Sequence, residues 1–319
     1  MAASRDSRRG YLLVVSGAVL FSVNAGVSRV IQTAGVDSTT LTTVRCTGTA
    51  VVLLAVVFAR GEQLRIPRGR REVARVLGFG ITGVALVQWF YFVAIDRLPV
   101  GIALLLEYTA PVLVALCVRF VYHERVRSRI WLGIALSLGG LALVAEVWSG
   151  LALDGLGVLA GLGAAVSLAT YFLLGERSVS AQSPLHVITE AFIVASVFWN
   201  LVQPATRIFD TDLTRPTSLG GTLDHLHAPV WLLLTSMVLL GTAVPFLAEL
   251  TALQHLTATE VTLVGMLEPV GATVLGWTWF RQTLSPAQTA GVVAILVGIA
   301  LAQTARVSRR RLDTAVPGL

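Results

Sequence analysis

Chemistry in this chain is concentrated where acids and prolines interrupt long apolar runs. Glu107 and Pro111 stand one helical turn apart in the run 100–121, and Glu268 and Pro269 are adjacent in the run 258–280. A charge at the centre of a spanning helix costs about 2.5–3.5 kcal/mol on insertion scales, so an acid there calls for a use. Proline has no N–H for the carbonyl one turn back. Pro111 therefore frees the carbonyl of Glu107 itself, and Pro269 frees that of Gly265. An acid, a freed carbonyl and a kink together suit the capture of an ammonium group or a proton. For Glu107 the alternative is a structural acid paired with an intramembrane arginine. Glu268 needs either a partner or a wet cavity.

Other polar groups carry a functional and a structural reading side by side. Arg45 and Glu190 lie about two turns into the second and seventh runs. Opposite charges there suit a salt bridge across a cavity or the two ends of a zwitterion; alternatively, Arg45 reaches water near its helix end. Glu249 closes the eighth run and aligns with Tyr91 in the third, as a vestibule group or a solvated interface acid. Trp89, Phe90, Tyr91 and Phe92 form either an interfacial anchor or an aromatic binding wall. Asn24, Gln88 and Thr170 suit a polar cavity or helix–helix hydrogen bonds. Glu260, in the first turn of the ninth run, fits a helix N-terminus, where an acid meets the positive end of the dipole.

The elements that must hold these residues are spanning helices. Of 319 residues, 55% are hydrophobic and 13% charged, too few charges to coat a soluble fold of this size. Mean hydropathy is +0.77. Ten apolar runs, at 11–31, 38–59, 75–95, 100–121, 129–148, 156–174, 186–205, 229–253, 258–280 and 285–305, are each long enough to cross a bilayer as a helix. They are too long for barrel strands and show no alternation. The expected fold class is an all-α membrane protein of ten transmembrane helices. The first run follows basic residues as a signal peptide would, but without a strong cleavage site it reads as an uncleaved helix. The segment 206–228 reads as a polar external loop.

All 24 basic residues are arginines, and the net charge is +6. They cluster between the runs, so topology explains them better than nucleic-acid binding. With the N-terminus inside, seventeen fall in inside segments and four, Arg97, Arg207, Arg215 and Arg281, outside. The positive-inside rule then places both termini in the cytoplasm of a cell that carries the protein in its plasma membrane. Cys46 and Cys117 lie inside apolar runs and match no metal or disulfide spacing.

An offset of 158 residues lays AIDRLPVGIALLLEYTAPVLV, from Ala94, over ALQHLTATEVTLVGMLEPVGA, from Ala252. Pro111 falls on Pro269, and further on Gly133 falls on Gly291 and Gly140 on Gly298. An offset near 145 relates the early helices more weakly, laying Arg45 on Glu190. Five spans per copy force the second copy to enter from the opposite side. The chain thus divides into a tail (1–10), two inverted five-helix repeats (11–150 and 151–305) and a basic tail (306–319). Inverted repeats serve alternating access around a midplane site in many secondary transporters.

The segments LPVGIALLLEYTAPVLVAL, WLGIALSLGGLALV, LTATEVTLVGMLEPVGATVLGW and AQTAGVVAILVGIALA resemble the paired EamA-type domains of the drug/metabolite transporter superfamily. The resemblance covers nearly the whole chain and is specific in the fourth, fifth, ninth and tenth spans. It implies export or exchange of small metabolites, often amino acids, with spans 1–4 and 6–9 walling a central cavity and 5 and 10 peripheral. It also implies a structural side to Arg45, since a basic residue is common in that part of the second span. The family often ends the fourth and ninth helices with a Gly-Glu-type pair; here the acid is kept as Glu124 and replaced by Gln282.

The expected function is a secondary transporter, an exporter of an amino acid or related amphipathic compound. No nucleotide-binding loop is present to drive it, so a gradient must. A membrane scaffold or sensor would not need paired prolines and buried acids. A membrane-embedded transferase would need a polar constellation that these short loops and five scattered histidines do not build. The implied partners are a small-molecule substrate, the lipid bilayer and a coupling proton, with no nucleic acid and no cofactor; a homodimer stays open.

Overall fold

The protein, described by a computed structural model, forms a bundle with ten apolar helices among the described residues. The structure describes residues 7–64, 67, 69–98, 100–148, 154–281 and 283–314, with side chains placed for all of these except 100–101 and 303–314. Gln282 and the outer parts of both tails lie outside the described residues. The helices are α1 (Ser7–Thr33), α2 (Ser38–Ala59), α3 (Arg70–Arg97), α4 (Ile102–Val121), α5 (Ser128–Val144), α6 (Gly155–Val179), α7 (Pro184–Val202), α8 (Val230–Ala252), α9 (Ala258–Thr278) and α10 (Pro286–Ala302). At 1.5 Å per residue, a 27-residue helix such as α1 spans about 40 Å, enough for the hydrocarbon core with tilt. Leu159, Val166, Val197 and Leu201 are exposed on the outer surface, as a lipid-facing wall requires.

The termini of these helices follow their sequence. Asp37 caps α2, accepting the amides of Thr39 (3.0 Å) and Thr40 (2.9 Å). Asp154 caps α6 through Gly157, and Ser183 caps α7 ahead of Pro184 at the first helical position. Thr257 and Glu260 close a reciprocal capping box on α9, which accounts for Glu260. Helices α1 and α6 run a turn or more longer than read, starting at Ser7 and ending at Val179, and three other boundaries also differ from the sequence reading. Helix α3 starts at Arg70, on polar residues that continue its turns ahead of the apolar run. Helix α5 ends at Val144 in a turn that carries Glu146 at φ 48°. Helix α7 ends at Val202 because Gln203, which precedes Pro204, is extended (φ −149°, ψ 116°).

The repeat is visible in the packing. Gly133 of α5 faces Gly298 of α10, and Gly140 faces Gly291; a Cβ on any of the four would land on the opposite helix. Between them Ser137 Oγ reaches the Ile295 carbonyl at 3.5 Å. Since Gly133, Ser137 and Gly140 correspond to Gly291, Ile295 and Gly298, exchanging the halves swaps the two glycine contacts and maps the Ser137–Ile295 contact onto itself. That self-complementarity is the signature of a two-fold axis. Early residues of α5 meet late residues of α10, so the helices are antiparallel and the axis crosses them, as inversion requires. The other contacts exchange in the same way. Helix α1 packs on α8 where α6 packs on α3, and on α9 where α6 packs on α4.

Two further features recur in both halves. Helices α4 and α9 are broken just ahead of their prolines: one α-helical stretch ends at Glu107 and the next starts at Ala110, while in α9 the stretches meet across Met266. Helices α3 and α8 each widen to a π-helical stretch, Phe79–Ala85 and Leu239–Ala243. The expected polar loop after α7 is itself folded. It contains a 3-10 turn and a hairpin in which β1 (Pro216–Ser218) pairs antiparallel with β2 (His227–Pro229). Gly220 and Gly221 both take positive φ at its turn (72° and 60°), a conformation that favours glycine.

Candidate functional site

A cavity of about 950 Å³ lies between the halves, lined by residues of α1–α6 and α8–α10. That size sits within the range of small-molecule pockets, roughly 300–1,000 Å³. Its wall runs from Arg29, Asp96, Arg281 and Gln288, at the helix ends opposite the chain termini, down to Phe246 and Glu249. We call the two faces of the bundle distal and terminal. Below the cavity, on the terminal side, aromatic rings close the bundle. Phe246 packs edge-on against Phe21, Tyr171 and Phe192 at centroid distances of 5.1, 5.5 and 5.3 Å, and Phe79 stacks on Tyr171. Glu176 strengthens this closure by accepting the Ala258 amide at the start of α9 (3.2 Å).

Of the residues singled out from sequence, Glu107, Glu249, Glu268, Pro269, Arg45 and Tyr91 line the cavity together. The helix breaks bring two of the acids there. Glu107 ends the first stretch of α4, and Glu268 follows the break in α9. Tyr108, inside the α4 break, donates its hydroxyl to Glu268 Oε2 at 2.7 Å, so one hydrogen bond joins the two broken helices. Ser22 of α1 lies within reach of the Glu268 carbonyl (2.9 Å). Glu107 and Glu249 both interact electrostatically with Glu268, and so, with opposite sign, does Arg45.

Arg45 is held by α8. Its Nε donates to Thr242 Oγ1 (3.1 Å) and its Nη2 to the Gly241 carbonyl (3.4 Å). Both groups belong to the π-helical stretch Leu239–Ala243 of α8, so the guanidinium is anchored at the point where that helix widens. The structural reading of Arg45 and its place in the cavity are therefore both observed.

The remaining residues sit elsewhere. Glu190 is buried in α7 off the cavity, where Gln182 Nε2 approaches its Oε1 at 3.4 Å. It and Arg45 thus do not face each other across the cavity. Pro111 is buried behind the wall, and Trp89 packs outside it against Phe90 and Trp199. Thr170 is half-buried, lies off the cavity and bonds back to Val166. Trp279 fills the space beside Gly26 and donates Nε1 to the Leu219 carbonyl of the hairpin. Tyr108 and the aromatic floor escaped the sequence reading. Tyr108 was signalled only by adjoining Glu107 at a proline break, and the ring cluster draws on five different helices.

Three buried polar atoms around this cavity have no hydrogen-bond partner among the described residues: Asn24 Oδ1, Ser28 Oγ and Gln88 Oε1. The orientation of Gln88 is set by its Nε2, which donates to the Val84 carbonyl at 3.1 Å. Buried acceptors left open in an otherwise satisfied wall point to a ligand or to water.

Comparison with known proteins agrees with this geometry. The sequence profile of the EamA-like transporter family matches residues 8–145 and again 155–304. The threonine/homoserine exporter RhtA of Escherichia coli (strain K12) is 28% identical over 247 residues, covering 76% of this chain and 75% of that protein. An uncharacterized transporter of Archaeoglobus fulgidus is 27% identical over 256 residues, covering 78% and 86%. One solved crystal structure superimposes with a TM-score of 0.72 at 22% identity, over 94% of this chain and 98% of the other, a likeness of fold.

Proposed function

This chain belongs to the EamA-like transporter family, and on that premise we propose that it exports a small amphipathic metabolite, an amino acid or a close relative, by alternating access. The observation that carries this reading is the cavity itself. It is an apolar-walled chamber between inverted halves, with Glu107, Glu249, Glu268 and Arg45 gathered at mid-depth and below. Carboxylates suit an α-ammonium group, and an arginine suits a carboxylate. The similarity to RhtA, whose name states threonine and homoserine export, supports an amino-acid substrate.

Transport requires the cavity to open alternately to either face. The distal side is lined to the helix ends, while aromatic packing shuts the terminal side. With the arginine-rich terminal face in the cytoplasm, this arrangement is outward-facing, the state that releases an exported compound. Helices α4 and α9, each broken at its acid, are the elements best built to bend between states. A carboxylate that surrenders a proton as the substrate ammonium arrives would couple export to proton entry.

The test is counterflow of labelled amino acids in proteoliposomes. Glu107→Gln should lower flux at least about tenfold, the loss expected from one charge-assisted contact, with membrane insertion unchanged. Wild-type flux from that variant removes Glu107 from the mechanism.

A further inference from the structure

The polar groups of the cavity are unbalanced. Below the mouth its ionisable acids are Glu107, Glu249 and Glu268, facing one guanidinium, Arg45. Arg45 already donates to Thr242 and Gly241, so much of its capacity is spent inside the protein. The open groups have the same sense. Gln88 Oε1 and Asn24 Oδ1 are acceptors, on side chains only 5% and 7% exposed, and neither has a hydrogen-bond donor among the described residues. A neutral amino acid would bring one ammonium to three carboxylates and would place its own carboxylate among them. Like charges sharing a low-dielectric site repel strongly, and an added cation relieves that repulsion where an added zwitterion does so only in part.

We infer that this cavity selects substrates carrying net positive charge, basic amino acids and short aliphatic diamines, over neutral amino acids. The inference rests on the reading of the cavity as the transport site and assigns its substrate class. One ammonium is placed against Glu268 and Glu107, where it takes the carboxylate oxygens. A second cationic group reaches Glu249 on the floor. In a basic amino acid the carboxylate then points back to the mouth, where Arg281 and Arg29, the latter resting over the Phe280 ring at 5.3 Å, line the wall.

Binding to the purified full-length protein separates this inference from transport. The probes are L-lysine, 1,4-diaminobutane and L-threonine, titrated by calorimetry in nanodiscs. Lysine and 1,4-diaminobutane should bind at least about tenfold more tightly than threonine, and Glu268→Gln should lose at least about tenfold for both cations while threonine changes less. Glu107→Gln carries the same test if Glu268→Gln does not fold. Threonine binding as tightly as lysine, no saturable lysine binding, or lysine affinity unchanged in the glutamine variants overturns the inference. Counterflow then tells the two readings apart. Lysine that binds but is not moved sinks the exporter and leaves the charge selectivity standing. Threonine that is moved while lysine neither binds nor moves does the reverse.

Discussion

The hydrogen bond from Tyr108 to Glu268 is the contact on which the site turns. It spans the breaks of two helices that are about 160 residues apart in sequence, and it occupies an oxygen that an incoming ammonium needs. Bonds to a charged group are worth about 1.5–3 kcal/mol when buried. Tyr108→Phe should therefore lower the melting temperature of the empty protein. Substrate should restore the loss, because its ammonium takes the vacated oxygen. The measurement is the ligand-induced thermal shift, which should be larger in Tyr108→Phe than in the wild type. An equal shift would mean that hydroxyl and substrate do not compete. At the distal end, Asp37 makes a separate, pH-dependent contribution. Burial raises its pKa, but hydrogen bonds from the Thr40 hydroxyl and from the Thr40 and Thr39 amides, with Gln203 adding to them, outweigh burial and hold the carboxyl below its ordinary value. Its capping is thus fully present above the unfolded pKa and is lost as pH falls through the lower folded one. Asp37→Ala should cost about 1 kcal/mol at neutral pH. The gap from wild type should begin to narrow below about pH 4 and go on closing as pH falls through the lower folded pKa. A gap that stays constant down to about pH 3 would assign the cap's effect to something other than its charge.

At the scale of the helix, the most exacting contact is the glycine seam between α5 and α10. A Cβ on Gly140 would meet the Gly291 carbonyl and the Ile295 amide, backbone atoms that cannot rotate aside. Overpacking of this kind costs about 1–3 kcal/mol or more. Gly140→Val should lower the melting temperature in fluorescence-detected size exclusion, and Gly139→Val, one residue away with nothing near its Cβ, should leave it nearly unchanged. Equal effects would remove the seam as a close contact. The glycines of this seam were legible in the sequence as a repeat, as were the ten helices, because glycine and proline act through backbone sterics that hold in any context; that α5 and α10 pack on each other was not. The π-helical stretches of α3 and α8 were not legible. Their sequences, Phe79–Ala85 and Leu239–Ala243, hold no proline and read as ordinary apolar helix. What accompanies the widening is tertiary: Arg45 and Asn24 press on α8 at Gly241, and Val194 presses on α3 at Gly80. The same limit explains the candidate site. Glu107 and Glu268 announced themselves by being costly where they are, whereas Glu190, equally costly, turned out to lie in α7 off the cavity. Intramembrane acidity marks a residue as needing a partner; only packing says which one.

For the whole molecule, the hairpin after α7 breaks the symmetry of the contacts exchanged between halves, since among the described residues of the α2–α3 connection no strand occurs. The hairpin is fastened to the distal end of α9: the Thr222 amide donates to the Trp279 carbonyl at 2.7 Å, and Trp279 Nε1 donates to Leu219 at 3.1 Å. It therefore stands on the side to which the cavity extends, facing away from the arginine-rich connection between α2 and α3. The positive-inside rule predicts that connection in the cytoplasm and the hairpin outside. In a background with Cys46 and Cys117 replaced, Thr214→Cys in the exposed hairpin loop should react with a membrane-impermeant maleimide in intact cells. Gln63→Cys, exposed in the α2–α3 connection, should react only after permeabilisation. The cavity adds an internal check, because Thr273→Cys on its α9 wall should be protected by substrate added outside if the distal opening is the extracellular one. Labelling in the opposite pattern would invert the protein in the membrane, make the described state inward-facing, and turn release of an exported compound into its capture.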